Sequence, residues 1–169
     1  MILYHEASPA TLSSITTEGL KCTSRGDKGS DQSIIDTDAL LDSRRPDELV
    51  EAGVSRDNNL YAYVGTDAHI IDIATGDVVA ITEYTKSQDG HLLRLDVDRD
   101  RCFVSDLDAY DRLRRGVKDQ MSRRTLEQWA DEYWSRVIPM RRYHVGTIRR
   151  PEVMIPYSLP AECIHSAAA

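Results

Sequence analysis

With 169 residues, 41% of them hydrophobic and 29% charged, the chain has the composition of a single soluble globular domain that can bury a core without disulfides or metal. It contains no run of about 18 apolar residues and no basic stretch followed by an apolar one near its start, so neither a transmembrane helix nor a secretory signal is expected and the expected location is cytoplasmic. Cys22, Cys102 and Cys163 are widely separated and form no Cys-x-x-Cys pair, which fits reduced thiols and speaks against a disulfide framework or a zinc site.

The net charge of −7 is unevenly spread: residues 1–84 carry 6 Lys/Arg against 15 Asp/Glu, and the remainder has a small basic excess. The later basic residues cluster as Arg112, Arg114, Arg115 and Lys118, as Arg123 and Arg124, as Arg141 and Arg142, and as Arg149 and Arg150. Such runs are either solvated helix faces or a local patch for phosphate or nucleic acid. The overall acidity opposes strong non-specific DNA binding, which rests on neutralising phosphates.

Ile2–His5 reads as a short buried strand. Ser8 then offers an N-cap, Pro9 a first helical position and Gly19 a stop, predicting a helix between them. Residues 21–33 read as a polar loop, 36–42 as a brief helix, and 45–53 as a second helix with acids in its first turn. The β-rich run 59–64 predicts a strand, 66–74 a helix, and 78–84 and 91–97 two strands joined by a turn at Gln88-Asp89-Gly90. A strand is expected at 101–104, a helix capped by Ser105 over 106–116, and another capped by Ser122 over 123–137. In the last of these, Leu126, Trp129, Ala130, Tyr133 and Val137 fall on one helical face, which marks them as core. Residues 143–148 and 152–157 read as the final strands, Pro156 and Pro160 bound the tail, and 167–169 carry no structure. The expectation is an α+β fold in one domain, residues 1–166.

Three segments can carry chemistry. The first is Tyr4-His5-Glu6-Ala7, with Ile15 and Gly19-Leu20 behind it. The second is Leu60-Tyr61-Ala62-Tyr63, and the third is Pro151-Glu152-Val153-Met154-Ile155. Taken singly, each has a plain structural explanation: a satisfied histidine at a strand end, a core strand, and an edge glutamate paired with Arg149 or Arg150. Yet a glutamate opening an apolar strand is unusual, because ionised carboxylates are rarely buried without partners.

In this order and spacing the three segments resemble the ADP-ribosyltransferase superfamily, of the diphtheria-toxin-like and poly(ADP-ribose)-polymerase-like His-Tyr-Glu type. Tyr4-His5, Ile15 and Gly19-Leu20 match its opening strand and helix, Tyr61 its middle strand, and Glu152 its late strand. The resemblance implies a split β-sandwich core with flanking helices. It implies NAD as substrate, bound between the two central sheets without a metal, and an acceptor that is a nucleic acid, a protein or a small molecule. His5 would bond the adenosine ribose, and the residues around it, Tyr4 and Glu6, would line the NAD site. Tyr61 or Tyr63, only one of the two being expected to face the ligand, would stack on nicotinamide. Glu152 would be catalytic, making the chain a glycosyltransferase. Small free-standing members of this class are often toxins or stress modifiers. Glu6 and Ala7 stand where the family has glycine and threonine, and Arg150 stands where arginine-modifying members carry an acid or amide. The helix tyrosine of the family has no counterpart near Ile71 and Asp72. The alternatives are a non-catalytic nucleotide or nucleic-acid binding module on the same fold, and a partner-binding protein of unrelated α+β fold. No partner membrane is expected. Phosphate-loop, nucleophile-elbow and His-Glu-x-x-His motifs are missing, and His69, His91, His144 and His165 show no metal spacing.

Overall fold

The computed structural model describes residues 1–24, 31–87 and 90–167. The chain opens with β1 (Ile2–Ala7) and α1 (Pro9–Glu18), followed by α2 (Gln32–Ser43) and α3 (Asp47–Glu51). Next come β2 (Leu60–Gly65), the pair β3 (His69–Ile71) and β4 (Val78–Ala80), α4 (Ile81–Ser87) and β5 (His91–Leu95). The second half holds β6 (Phe103–Asp106), α5 (Leu107–Lys118), α6 (Arg123–Ser135), β7 (Ile138–Pro139), β8 (Pro151–Ile155) and β9 (Ile164–Ser166). The fold is therefore mixed helix and antiparallel sheet, as the α+β expectation holds. The strands run β7-β6-β8-β2-β1-β5-β9, with the β3–β4 hairpin attached to β2. No helix among the described residues is long and apolar enough to cross a membrane.

Strand alternation sorts the core into two faces. Leu3, Ala7, Leu60, Ala62, Val64, Leu93, Leu95, Val104, Val153 and Ile155 pack on one face with Ile15 of α1. On the other, Met154 meets Leu41 of α2, Tyr110 and Leu113 of α5, and Ala130, Tyr133 and Trp134 of α6. The apolar stripe of α6 is thus core, as its spacing predicts. Its Ser122 cap accepts from the Thr125 amide at 3.3 Å.

Several elements differ from the sequence reading. Residues 66–74 form part of a hairpin instead of a helix: Ile70 and Ile71 are both buried, Asp72 caps the turn by accepting from the Ala74 amide at 2.8 Å, and Gly76 turns the chain at φ +81°. The strand from Val78 stops at Ala80, since Ile81 and Tyr84 bury together at helical spacing in α4. Helix α2 starts earlier than 36, because Asp31 caps it through the Ser33 amide at 2.8 Å. Ser105 lies inside β6, and Asp106 takes the capping role by accepting from the Asp108 amide at 3.0 Å. The strand expected at 101–104 begins at Phe103, after a turn at Arg99–Arg101 capped by Asp98. Residues 143–148 make no strand, because Thr147 turns back onto the His144 carbonyl at 3.1 Å and Gly146 has φ +93°. The loop at 21–33 and the turn at 88–90 lie partly outside the described residues.

Gly19 sets how α1 sits on the sheet. Its φ is +87°, and a Cβ there would lie 2.1 Å from the Leu159 carbonyl oxygen. Leu20 and Leu159 exchange backbone hydrogen bonds at 2.8 Å just beyond it, tying the helix end to the C-terminal segment. Gly19→Ala combines the strain of a backbone region essentially reserved to glycine (φ +87°, ψ −177°) with overpacking, each about 1–3 kcal/mol. Thermal melting followed by circular dichroism is expected to show a midpoint lower by about 5 °C or more.

Candidate active site

The two central strands pair only briefly. β1 and β2 are in register at Ile2 with Gly65, Leu3 with Val64 and Tyr4 with Tyr63. Past Tyr4, β1 stays paired with β5 while Leu60–Tyr63 of β2 pair with β8. In the opening the His5 ring bridges the gap, its Nδ1 lying 2.9 Å from the Tyr61 carbonyl oxygen. A cavity of about 620 Å³ occupies this parting. Its walls include His5, Ile15, Gly19 and Leu20 on the α1 side, and Tyr61, Tyr63, Asn59, Ile73 and Glu152 beyond. By register His5 belongs to the face of Leu3 and Ala7, and Glu152 to the face of Met154. One cavity reaches both because the strands separate there.

The structure thus brings together His5, Tyr61, Tyr63 and Glu152 from three distant segments. Tyr61 and Tyr63 both line the cavity, which corrects the expectation that only one would: residues two apart on a strand share a face. Tyr4 and Glu6 do not line it. By register they lie on the face of Tyr63 and Glu152, but that part of the face is covered by Ile81 and Tyr84 of α4, where the 3% exposed Tyr4 donates its hydroxyl to the Thr66 carbonyl at 2.8 Å. Glu6 accepts from the Tyr84 hydroxyl at 3.4 Å. Burial, followed by the charges of Glu6 and Glu152, pushes the Tyr63 phenol up to about 12, so it remains a neutral hydroxyl across the physiological range.

Glu152 is only 7% exposed, with Tyr63 of β2 on one side and Ser105 of β6 on the other. A carboxylate so placed needs a cation. Arg56 supplies it: Nη1 donates to Glu152 Oε2 at 2.6 Å and to the Tyr133 hydroxyl at 3.0 Å. Its Nε faces Asp38 Oδ1 at 3.6 Å, and Asp38 also accepts from the Tyr110 hydroxyl at 2.9 Å. The guanidinium carbon lies 4.6, 4.3 and 5.7 Å from the ring centres of Tyr61, Tyr110 and Tyr133. This aromatic cage adds cation–π attraction to the two carboxylates. Burial is the largest influence on Arg56 and acts against its charge, but Glu152, Tyr133, Tyr61 and Asp38 outweigh it and hold the group protonated.

The loop that carries Arg56 is itself anchored. Asp42 accepts from the amides of Arg56 and Asp57 at 2.8 and 3.2 Å and from the Ser55 hydroxyl at 2.6 Å. The Tyr61 hydroxyl donates to the Arg56 carbonyl, so the aromatic wall of the cavity and the ion pair are one unit. Glu152 Oε1 makes no hydrogen bond among the described residues, and neither does the buried Asn59 Nδ2. The cavity therefore holds an acceptor with capacity to spare, while the Asn59 amide is sealed within its wall.

Sequence reasoning missed Arg56, Asp38, Tyr110, Tyr133 and Asn59. Arg56 falls in the short polar stretch between the expected helix at 45–53 and the expected strand at 59–64, and Asn59 opens that strand with no pattern that marks it. The one available signal was Asp38, an acid one turn before Leu41 on the face of α2 that becomes core. No group of His, Cys, Asp and Glu suited to a metal occurs among the described residues. Comparison with known protein families, with curated proteins and with solved structures yielded no match to this chain.

Proposed function

We propose that the chain is an NAD-dependent ADP-ribosyltransferase of the His-Tyr-Glu type, with the parting of β1 and β2 as its NAD site and the sheet as a split β-sandwich core. The observation that carries this reading is the convergence of His5, Tyr61, Tyr63 and Glu152 on one cavity from three segments far apart in the chain. The volume of about 620 Å³ falls within the range of small-molecule sites, about 300–1,000 Å³. The acceptor left over at Glu152 Oε1 suits a ligand rich in hydroxyl groups.

The chemistry follows from the groups present. Tyr61 and Tyr63 offer aromatic faces to a flat cationic ring. When the bond between ribose C1′ and the nicotinamide nitrogen breaks, its electron pair leaves with nicotinamide, which becomes neutral, and positive charge builds on the sugar. Glu152, fixed by Arg56 through one oxygen, keeps the other for the ribose hydroxyl and the developing charge. The acceptor's lone pair then forms the new bond at C1′, and the acceptor's proton passes to Glu152 as general base.

The close Arg56–Glu152 pair favours a second reading, a nucleotide-binding module without turnover, because the guanidinium offsets the charge the transition state would use. Incubation with nicotinamide-labelled NAD, alongside calorimetric titration with NAD, separates the two. Saturable binding with nicotinamide release is expected. Binding without release leaves only the module, and absence of both ends the case for an NAD site.

A further inference from the structure

A second cavity, of about 390 Å³, is lined by Arg114, Arg115 and Lys118 of α5, by Arg149 and Arg150 ahead of β8, and by Asp108 and Asp111. Five cations face two carboxylates. Basic residues late in a helix are ordinary partners of its dipole, which accounts for the α5 members alone. Arg149 and Arg150 come from another segment and are steered here. Arg149 grips Asp108 through two bonds at 2.9 and 3.0 Å, and Arg150 bonds Asp108 at 3.0 Å and Asp111 at 2.7 Å. Gly76 makes room for them, since a Cβ there would lie 3.0 Å from Arg149 Cγ and 3.1 Å from Arg150 Cγ. Arg115 and Lys118 have no ion pair among the described residues. Arg114 is shared with Ser33 at 3.0 Å and Asp31 at 3.7 Å.

This pocket adjoins the cavity at the strand parting. Arg150 Nε donates to the Ile73 carbonyl at 2.5 Å and Arg149 Nη1 to the Thr75 carbonyl at 3.0 Å, while Ile73 itself lines the cavity that holds Glu152. Arg150 and Glu152 are two residues apart, about 7 Å along an extended chain. The two cavities share no lining residue, so only a ligand long enough to pass Ile73 spans from the cations to the cavity that holds Glu152.

We propose that the basic pocket seats the phosphate chain of a single-stranded nucleic acid, making nucleic acid the acceptor class; this rests on the NAD reading of the neighbouring cavity. Guanidinium forks match phosphate oxygens, and Arg115 and Lys118, which have no ion pair among the described residues, are ready to replace counterions. A single strand fits because its bases are free to enter the cavity, whereas a duplex keeps them stacked.

Fluorescence anisotropy with labelled single-stranded DNA and RNA of about 12 nucleotides, within the usual site size, tests the proposal without NAD. Wild-type protein is expected to bind at low salt, with affinity falling linearly on a log–log salt plot. The double variant Arg115→Glu/Lys118→Glu, its fold checked by circular dichroism, is expected to bind at least tenfold more weakly and with a slope smaller by roughly 1 to 2. Wild-type protein that ignores the oligonucleotide, or a variant that binds as well as wild type, overturns the assignment. So does polyglutamate of matching charge competing as well as unlabelled oligonucleotide. Nicotinamide release is measured separately: oligonucleotide binding without NAD cleavage sinks the reading of the cavity, and NAD cleavage without oligonucleotide binding sinks that of the pocket.

Discussion

Glu152→Gln is expected to lower nicotinamide release from NAD about 100- to 1,000-fold, the usual cost of deleting one preorganised electrostatic group. The amide keeps the volume and one oxygen but cannot face a cationic sugar with a negative charge. Stability falls as well, since Arg56 loses the closer of its two carboxylates. Asp38 remains 3.6 Å from Arg56 Nε, so the penalty should sit near the low end of the 3–5 kcal/mol typical of a broken buried pair. A melting midpoint lower by roughly 10 °C is expected. The two effects separate by measuring kcat and KM far below the melting transition: a purely structural glutamate would leave the rate of the folded fraction unchanged. Release within tenfold of wild type would remove Glu152 from the catalytic role.

Arg56→Met is expected to be the most destabilising single change in the site. It strands Glu152 and Asp38 in a cage of three tyrosines, at a cost of about 3–5 kcal/mol and a midpoint drop on the order of 10 °C or more. Arg56→Lys should fall between, because an ammonium cannot reach Glu152, Asp38 and the Tyr133 hydroxyl from one plane. A double-mutant cycle with Glu152→Gln gives the decisive number. Removing both members leaves only Asp38 to be satisfied, so the double variant should lose less than the two single variants together, with a coupling of about 1–3 kcal/mol. Additive losses, within about 0.5 kcal/mol, would mean that the 2.6 Å contact contributes nothing as a pair. Tyr61 enters the same balance, since its hydroxyl holds the Arg56 carbonyl while its ring walls the cavity.

Much of the architecture was legible because short-range rules act on residues close in sequence. Pro9 and Gly19 bracket α1, Ser122 opens α6, and the helical spacing of Ala130 and Tyr133 identifies its buried face. The errors lie where local preference and tertiary demand disagree. Residues 66–74 include a turn-forming Asp72, with Gly76 just beyond, and pairing of Ile70 with Gly65 and Val79 decided for a hairpin. Ile81 and Tyr84 read equally well as strand, until their common burial against Tyr4 and Leu92 required a helix.

The sequence by itself determined which residues can do chemistry: an imidazole early, tyrosines in the middle, a carboxylate late, and clustered cations in the second half. Those follow from side-chain type and order. Only the tertiary structure decided that β1 and β2 separate after Tyr4, that Tyr4 and Glu6 pack against α4 and do not line the opening, and that Arg56 meets Glu152. The physical reason is distance along the chain. A buried charge must find its counter-ion wherever folding brings one, and Arg56 and Glu152, 96 residues apart, have no local pattern that could announce the pairing.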